Sequence, residues 1–347
     1  MTNPERLTAL EKLGYSSREG AFLCLAALHG GYFLRRQYCG FIGKQVGGSA
    51  AALVEKLLLQ KHAVAISAPA NTKIYHLGSR PFYALLGETD NRNRREHSVP
   101  AMKKRLMGLD FVLAHPNFKY LATEREKLDY FSGTLGISLS ILPYKRYISR
   151  KTPSTTTRYF VDKFPIFLSE TSPNEPRLRP SFCFVDEGLV TLSGFETFLQ
   201  QYSDLWRSLH EFQVIYVADS KRLYQAAERR FAALSNQLKS SESRPDAHLA
   251  LRLLEHFDAR FQYEKGDFAS FSREKLVRLR NEILEFSGPE HRRLYELWKA
   301  SGNQPVIDSI APKSRLPAVF KPSFSTYFLD HQYKFLGTTD RPEFSVR

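Results

Sequence analysis

Residues 44–77 read KQVGGSAAALVEKLLLQKHAVAISAPANTKIYHL, and their pattern changes near residue 61. Before that point apolar residues fall at Val46, Ala50, Leu53, Val54, Leu57 and Leu58, one continuous face of an α-helix. After it, 62–67 and 73–77 are strand-like runs joined by the turn residues Ala68-Pro69-Ala70-Asn71-Thr72. A helix followed at once by a two-stranded hairpin is the arrangement from which the amino-terminal part is read.

Upstream, Ser16 or Ser17 before Arg18-Glu19 is a helix-capping position. The helix it starts carries Ala21, Phe22, Leu25 and Leu28 on its apolar face and stops at Gly30-Gly31. A short helix fits 35–41, closed by Gly43. Three helices and a hairpin in this order predict a winged helix-turn-helix, whose third helix lies in a DNA groove. The opposite face of that helix holds Gly48, Ser49, Ala51, Ala52, Glu55 and Lys56. Its small amino-terminal side chains would let the backbone approach base edges, leaving specificity to Lys44, Gln45 and Ser49. A plain bundle helix would show the same periodicity, and the hairpin behind it favours the winged reading. From that wing Lys61, Lys73 and His76 would reach phosphate.

The charge is unevenly placed. Residues 31–120 hold fourteen Lys and Arg against five Asp and Glu, a net +9 out of +14 for the chain. A block of this kind favours nucleic acid over an acidic membrane surface or an acidic protein, which a diffuse surplus would suit equally. Its densest segment, Arg92, Arg94, Arg95, Lys103, Lys104 and Arg105, is either a solvated face or a second phosphate contact. The candidate DNA-binding residues are therefore Lys44, Gln45, Gly48, Ser49, Ala52, Lys56, Lys61, Lys73 and those six cations.

Further along, 137–142, 158–168, 182–185, 189–192 and 212–218 are short β-rich runs. A helix over 194–209 presents Phe195, Phe198, Leu199, Tyr202, Leu205, Trp206 and Leu209 on one side, and another helix covers 220–238. Together they predict a compact α/β layer. A polar break at 240–245 is followed by helices over 247–261, 273–286 and 289–301. An aromatic strand or hairpin over 324–336 ends the chain, free or packed back on the sheet. The predicted class is α+β, with an amino-terminal winged helix-turn-helix (1–115), a central α/β domain (116–238) and a helical extension (244–347).

Several chemistries find no support. Cys24, Cys39 and Cys183 form no C-x-x-C pair and read as small buried hydrophobes in a reducing compartment. The histidines lack the i, i+4 pairing of a helical zinc site, and neither a phosphate-binding Gly loop nor a G-x-S-x-G elbow is present. No metal and no cofactor are expected. No apolar run reaches the roughly 18–20 residues that span a bilayer. Residues 1–13 are charged and lack an apolar leader core, so a cytoplasmic protein without a membrane partner is expected.

The order of elements resembles the replication-relaxation family of plasmid and mobile-element proteins. The resemblance rests on Ile74-Tyr75-His76-Leu77-Gly78, Arg95-Glu96-His97, Arg179-Pro180-Ser181-Phe182 and Gln213-Val214-Ile215-Tyr216-Val217-Ala218-Asp219-Ser220, within about residues 15–235. It implies a winged helix followed by a domain similar to PD-(D/E)xK nucleases. In that pattern an Asp after the Pro and an acid-x-Lys on the next strand share a divalent metal. Here Ser181 stands at the Asp position, and Leu189-Val190-Thr191-Leu192 offers neither acid nor Lys. A nuclease-like fold without catalysis is the expectation.

The remaining acids have ordinary readings. Asp186-Glu187-Gly188 reads as a turn, Glu196 sits in a helix first turn, and Asp219-Ser220 reads as an N-cap. The expected protein is thus a sequence-specific double-stranded DNA-binding factor, a transcriptional regulator or an accessory to plasmid or mobile-element replication or transfer. It would act as a homodimer with a replication, transfer or recombination partner. The alternatives are a metal-dependent nuclease using Asp186, Asp219 and Lys221, or a winged helix that binds protein.

Overall fold

A chain that places Ser16 three residues before Glu19 and an apolar run starts a helix there, and the computed structural model shows how. Glu19 N–H donates to Ser16 Oγ while Ser16 N–H donates to the Glu19 carboxylate at 2.8 Å, a reciprocal cap. The structure describes residues 3–44, 47–148, 155–162, 164–170, 178–188, 191–240, 247–268, 271–310 and 320–336. The chain is a mixed α+β protein.

After α1 (Asn3–Glu11) come α2 (Ser17–His29), β1 (Tyr32–Leu34), α3 (Arg35–Phe41) and α4 (Gly48–Leu59). The hairpin β2 (Ala63–Ala68) and β3 (Thr72–Leu77) follows directly, and β1 completes its sheet in the order β1-β3-β2. Ala70 and Asn71 turn that hairpin with positive φ. The helices and hairpin close over Phe22, Leu23, Phe33, Leu53, Leu57 and Tyr75. Gly31, at φ 78°, ends α2 where an added Cβ would collide with the Asn93 carbonyl oxygen, so only glycine fits.

Helix α5 (Arg80–Leu85), capped by Ser79, leads through a 3₁₀ turn at Arg92–Arg94 to α6 (Val99–Ala114). Helix α6 is buried on two sides. Leu109 belongs to the amino-terminal core, while Phe111 meets Phe167 and Tyr327 of the sheet beyond.

That sheet takes β4 (Lys119–Tyr120), β7 (Ile166–Glu170), β8 (Leu178–Asp186), β9 (Glu211–Ala218) and β10 (Lys321–Phe328) in the order β10-β9-β8-β7-β4. Strands β8, β9 and β10 run parallel, and β7 runs against β8 and β4. Between β4 and β7 lie α7 (Glu124–Leu128), a π-turn at Asp129–Thr134, and the hairpin β5 (Tyr144–Ile148) and β6 (Thr155–Tyr159). Strand β8 is closed on both faces, as a parallel neighbour covered by helices must be. Its Phe182 and Phe184 pack on α8 (Ser193–Arg207), against Tyr202, Trp206, Phe195 and Phe198. Helix α9 (Tyr224–Ser240) follows β9.

Two compact units result, residues 1–236 with 319–347, and residues 237–318. The second contains α10 (Ala247–Glu264), α11 (Arg273–Glu285), α12 (Pro289–Ser301) and α13 (Asn303–Ile310) around Leu253, Phe257, Phe286, Tyr295 and Val306. The expected terminal strand is β10, packed back on β9. The break at 240–245 lies almost wholly outside the described residues.

Two strand expectations fail, and a third lies partly outside the described residues. Residues 137–142 form no strand: Ile137 and Leu142 are buried but Leu139 is 45% exposed, and among the described residues no strand pairs with this run. The run 158–168 splits between β6 and β7. Of 189–192, the first two residues lie outside the described residues, and Thr191 and Leu192 form no strand before α8.

Candidate nucleic-acid interface

Helix α4 is held by Ala50, Leu53, Val54 and Leu57, all buried, so its other side is turned outward. Gly48, Ser49, Ala52 and Glu55 are exposed along it. Lys44, just before the helix, is also exposed, while Gln45 lies outside the described residues. Lys61 turns the chain from α4 into the hairpin at φ 56°, and Lys73 is the second residue of β3; both are exposed. Among the described residues none of Lys44, Lys61 and Lys73 has an ion-pair partner.

Other expected contacts are spent inside the protein. Lys56 reaches back to Glu19 at 2.8 Å and to the Gly14 carbonyl at 3.1 Å, bracing α4 against the start of α2. Burial alone would raise the Glu19 carboxyl; the Lys56 and Ser16 hydrogen bonds outweigh it and leave the pKa below its ordinary value. His76 is buried, stacked on Tyr32 at 4.2 Å, with Nε2 3.0 Å from the Asn93 carbonyl oxygen. Its burial depresses its pKa, so it offers no cation to phosphate.

The basic segment divides. Lys103 is buried 3.8 Å from Asp219, and Lys104 pairs with Glu187 at 3.1 Å. Arg105 donates to the Gly30 carbonyl and, at 2.6 Å, to Asn93 Oδ1; burial lowers it to about 10. These three are withdrawn as phosphate contacts, because each already has a partner that a phosphate would have to displace. Arg95 is exposed, and Arg92 and Arg94 are half-buried. The Arg92 guanidinium lies 4.1 Å over the Tyr147 ring.

Sequence reasoning missed Asn93. Fully buried, it donates from Nδ2 to the carbonyls of Ala27 and Leu28 at 2.9 Å, closing the end of α2, and it receives Arg105. Its only signal is an uncharged residue set between Arg92 and Arg94.

Asp186 and Asp219, the carboxylates considered for metal chemistry, lie at the carboxyl ends of the neighbouring strands β8 and β9, where Asp186 is registered with Ala218. Asp186 accepts Tyr216 O–H at 2.7 Å and Gly188 N–H at 3.0 Å. Asp219 faces Lys103, and Lys221 lies 5.3 Å over the Phe328 ring rather than beside either acid. Among the described residues no three His, Cys, Asp or Glu side chains are placed to hold a metal. At Ser181 the sheet carries a hydroxyl and amide network joined by Arg179, which is itself 3.8 Å from Glu211. The Ser181 hydroxyl lies 3.1 Å from Ser169 Oγ, and Gln213 bridges Arg179 at 2.8 Å and Ser325 at 2.9 Å.

Among the described residues no helix is long and apolar enough to cross a membrane. Comparison with family models, curated proteins and solved structures returns no match to this chain.

Proposed function

We propose that this chain is a sequence-specific double-stranded DNA-binding protein that works without catalysis, with α2, α3, α4 and the β2–β3 hairpin acting as a winged helix-turn-helix. The observation that carries the reading is the outward face of α4. Three small residues, Gly48, Ser49 and Ala52, stand exposed on its amino-terminal half, with Lys44, Lys61 and Lys73 exposed around the same helix and hairpin and without an ion-pair partner among the described residues. Small side chains let a helix backbone approach base edges, and free lysines beside it neutralise phosphate without first breaking an internal ion pair. Glu55 on the same face supplies an acceptor for a cytosine amino group and penalises contact without such a base. Arg95, Arg94 and Arg92 extend the phosphate contact.

The central sheet serves in this reading as a nuclease-like scaffold without nuclease chemistry, since Asp186 and Asp219 are occupied by Tyr216 and Lys103. The order of elements, in its resemblance to plasmid and mobile-element proteins, supports a role in regulation of transcription there, or in positioning a replication or transfer machine. A homodimer on a two-fold site in the cytoplasm is the working assembly. The test is selection of bound fragments from a random duplex pool, followed by a salt titration on the winner. Enrichment of one motif, with log affinity falling linearly in log salt, supports the reading. Equal recovery of all sequences, or affinity indifferent to salt, overturns it and favours a winged helix that binds protein.

A further inference from the structure

A cleft of about 590 Å³ opens between the 92–98 segment with α6 on one side and Tyr147, Phe164 and the first turns of α8 on the other. That volume lies within the range of sites for small organic ligands. Three acids line it: Glu187 is paired with Lys104, which also lies 5.3 Å over the Phe164 ring, Asp162 accepts the Phe164 N–H, and Glu96 lies beside Arg95 in sequence. Among the described residues Arg92 and Arg95 have no ion-pair partner. Arg92 Nη1 is buried without a hydrogen-bond partner among the described residues, and the guanidinium carbon lies 4.1 Å from the Tyr147 ring centroid. A guanidinium packed on an aromatic ring still offers a planar fork that can give two parallel hydrogen bonds to phosphate. Across the cleft, Thr197 and Gln201 stand one turn apart on α8. The Thr197 hydroxyl donates to the Ser193 carbonyl and keeps acceptor capacity, and Gln201 is exposed. One wall therefore offers two guanidinium groups beside the single carboxylate of Glu96, and the α8 wall offers neutral donors and acceptors.

We propose that this cleft binds an organic phosphate of nucleotide size, its phosphate on Arg92 and Arg95 and its organic part against Thr197 and Gln201. Occupancy takes two cations from the surface assigned above to DNA, so the ligand antagonises duplex binding; this clause rests on the proposed function, while the binding site itself does not. Free phosphate and nucleotide share the anion chemistry and differ only in the second wall.

Calorimetric titration of the full chain, without DNA, uses ATP and inorganic pyrophosphate as probes. ATP is expected to bind at least about tenfold more tightly than pyrophosphate, a difference of about 1.4 kcal/mol. Arg92→Ala and Arg95→Ala are each expected to weaken ATP by a similar factor, Gln201→Ala to narrow the gap to pyrophosphate, and Lys73→Ala to change nothing. Arg92→Lys keeps the charge and a similar stem but loses the fork, and its weakening separates recognition from misfolding. Absence of saturable ATP binding at millimolar concentration, unchanged binding in the Arg92 and Arg95 variants, or equal affinity for pyrophosphate overturns the site. In a separate arm ATP should raise the duplex Kd of the native chain and leave that of Arg92→Ala unmoved. Failure of the DNA reading shows there as no duplex binding at all, with the calorimetry unaffected.

Discussion

Lys103 Nζ lies 3.8 Å from Asp219 Oδ2, with both side chains largely closed to solvent. One residue belongs to a basic segment suited to phosphate and the other to a set of acids suited to a metal, and the fold makes each the partner of the other. The pair ties α6 to the carboxyl end of β9, between the helix that closes the amino-terminal core and the parallel sheet.

Removing Lys103 should therefore act on stability. Lys103→Ala leaves Asp219 buried without its cation, and a loss of about 3–5 kcal/mol is expected in urea unfolding of the full chain. Lys103→Met with Asp219→Asn should recover most of it, because the two charges leave together. Unchanged stability with weakened duplex binding would return Lys103 to the DNA surface.

Lys56 and Lys73 should separate in the same way. Lys56→Ala breaks the link to Glu19 and is expected to cost about 1 kcal/mol or less without altering the salt slope of duplex binding. Lys73→Ala should leave the unfolding midpoint in place and lower the magnitude of that slope by about one. Anisotropy titrations at several salt concentrations read both. The reverse ranking contradicts the placement of the interface.

Ser49→Glu puts a carboxylate on the outward face of α4, where nothing in the core is disturbed. The expected result is loss of specific duplex binding with the melting temperature unchanged. Retained affinity would mean that this face does not meet DNA.

Supercoiled plasmid incubated with the chain and Mg²⁺ or Mn²⁺ should remain intact, because the two carboxylates at the ends of β8 and β9 are held by Tyr216 and Lys103. Nicking that disappears in Asp186→Ala and Asp219→Ala would establish the nuclease instead.

Acid should destabilise the fold through its buried histidines. Burial lowers His29 to about 3, with Lys127 adding to the shift, and burial and Arg105 lower His97 to about 4. Below the ordinary value near 6.5 the unfolded chain takes up protons that the folded chain refuses. Stability therefore falls as pH drops from about 6.5 towards these values, by at most about 1.4 kcal/mol per pH unit for His29, which is nearly fully buried. Half-exposed His97 contributes less. Urea midpoints of the native chain and His29→Gln between pH 7 and 4.5 measure it. Parallel pH curves for the two would refute the assignment.

The amino-terminal helices were legible because their signals are local. Ser16 and Glu19 cap one another within one turn, and the apolar positions of α4 repeat at helical spacing along twelve residues. Helix α8 was read from its apolar face for the same reason, and all of Phe195, Phe198, Leu199, Tyr202, Leu205 and Trp206 are buried. The strands were less legible. The alternation at 137–142 looks like any other, while the strand that forms, Tyr144–Ile148, is charged and polar and owes its pairing to β6. A strand exists only where another lies beside it, and that neighbour is not written in the run itself.

The candidate interface divides along the same line. Sequence placed the cations near one another and set which side of α4 turns outward, since a helix face follows from 3.6-residue spacing and needs no distant partner. It did not determine which cations stay free. Arg36 is held by Asp110, Lys103 by Asp219, Lys104 by Glu187 and Arg105 by Asn93, while Lys44, Lys61 and Lys73 stand in solvent. The Lys103 and Lys104 pairs form only when the sheet meets α6, and the Arg36 and Arg105 pairs only when α6 packs on the amino-terminal helices; such contacts depend on distance in space and burial, and the order of residues along the chain specifies neither.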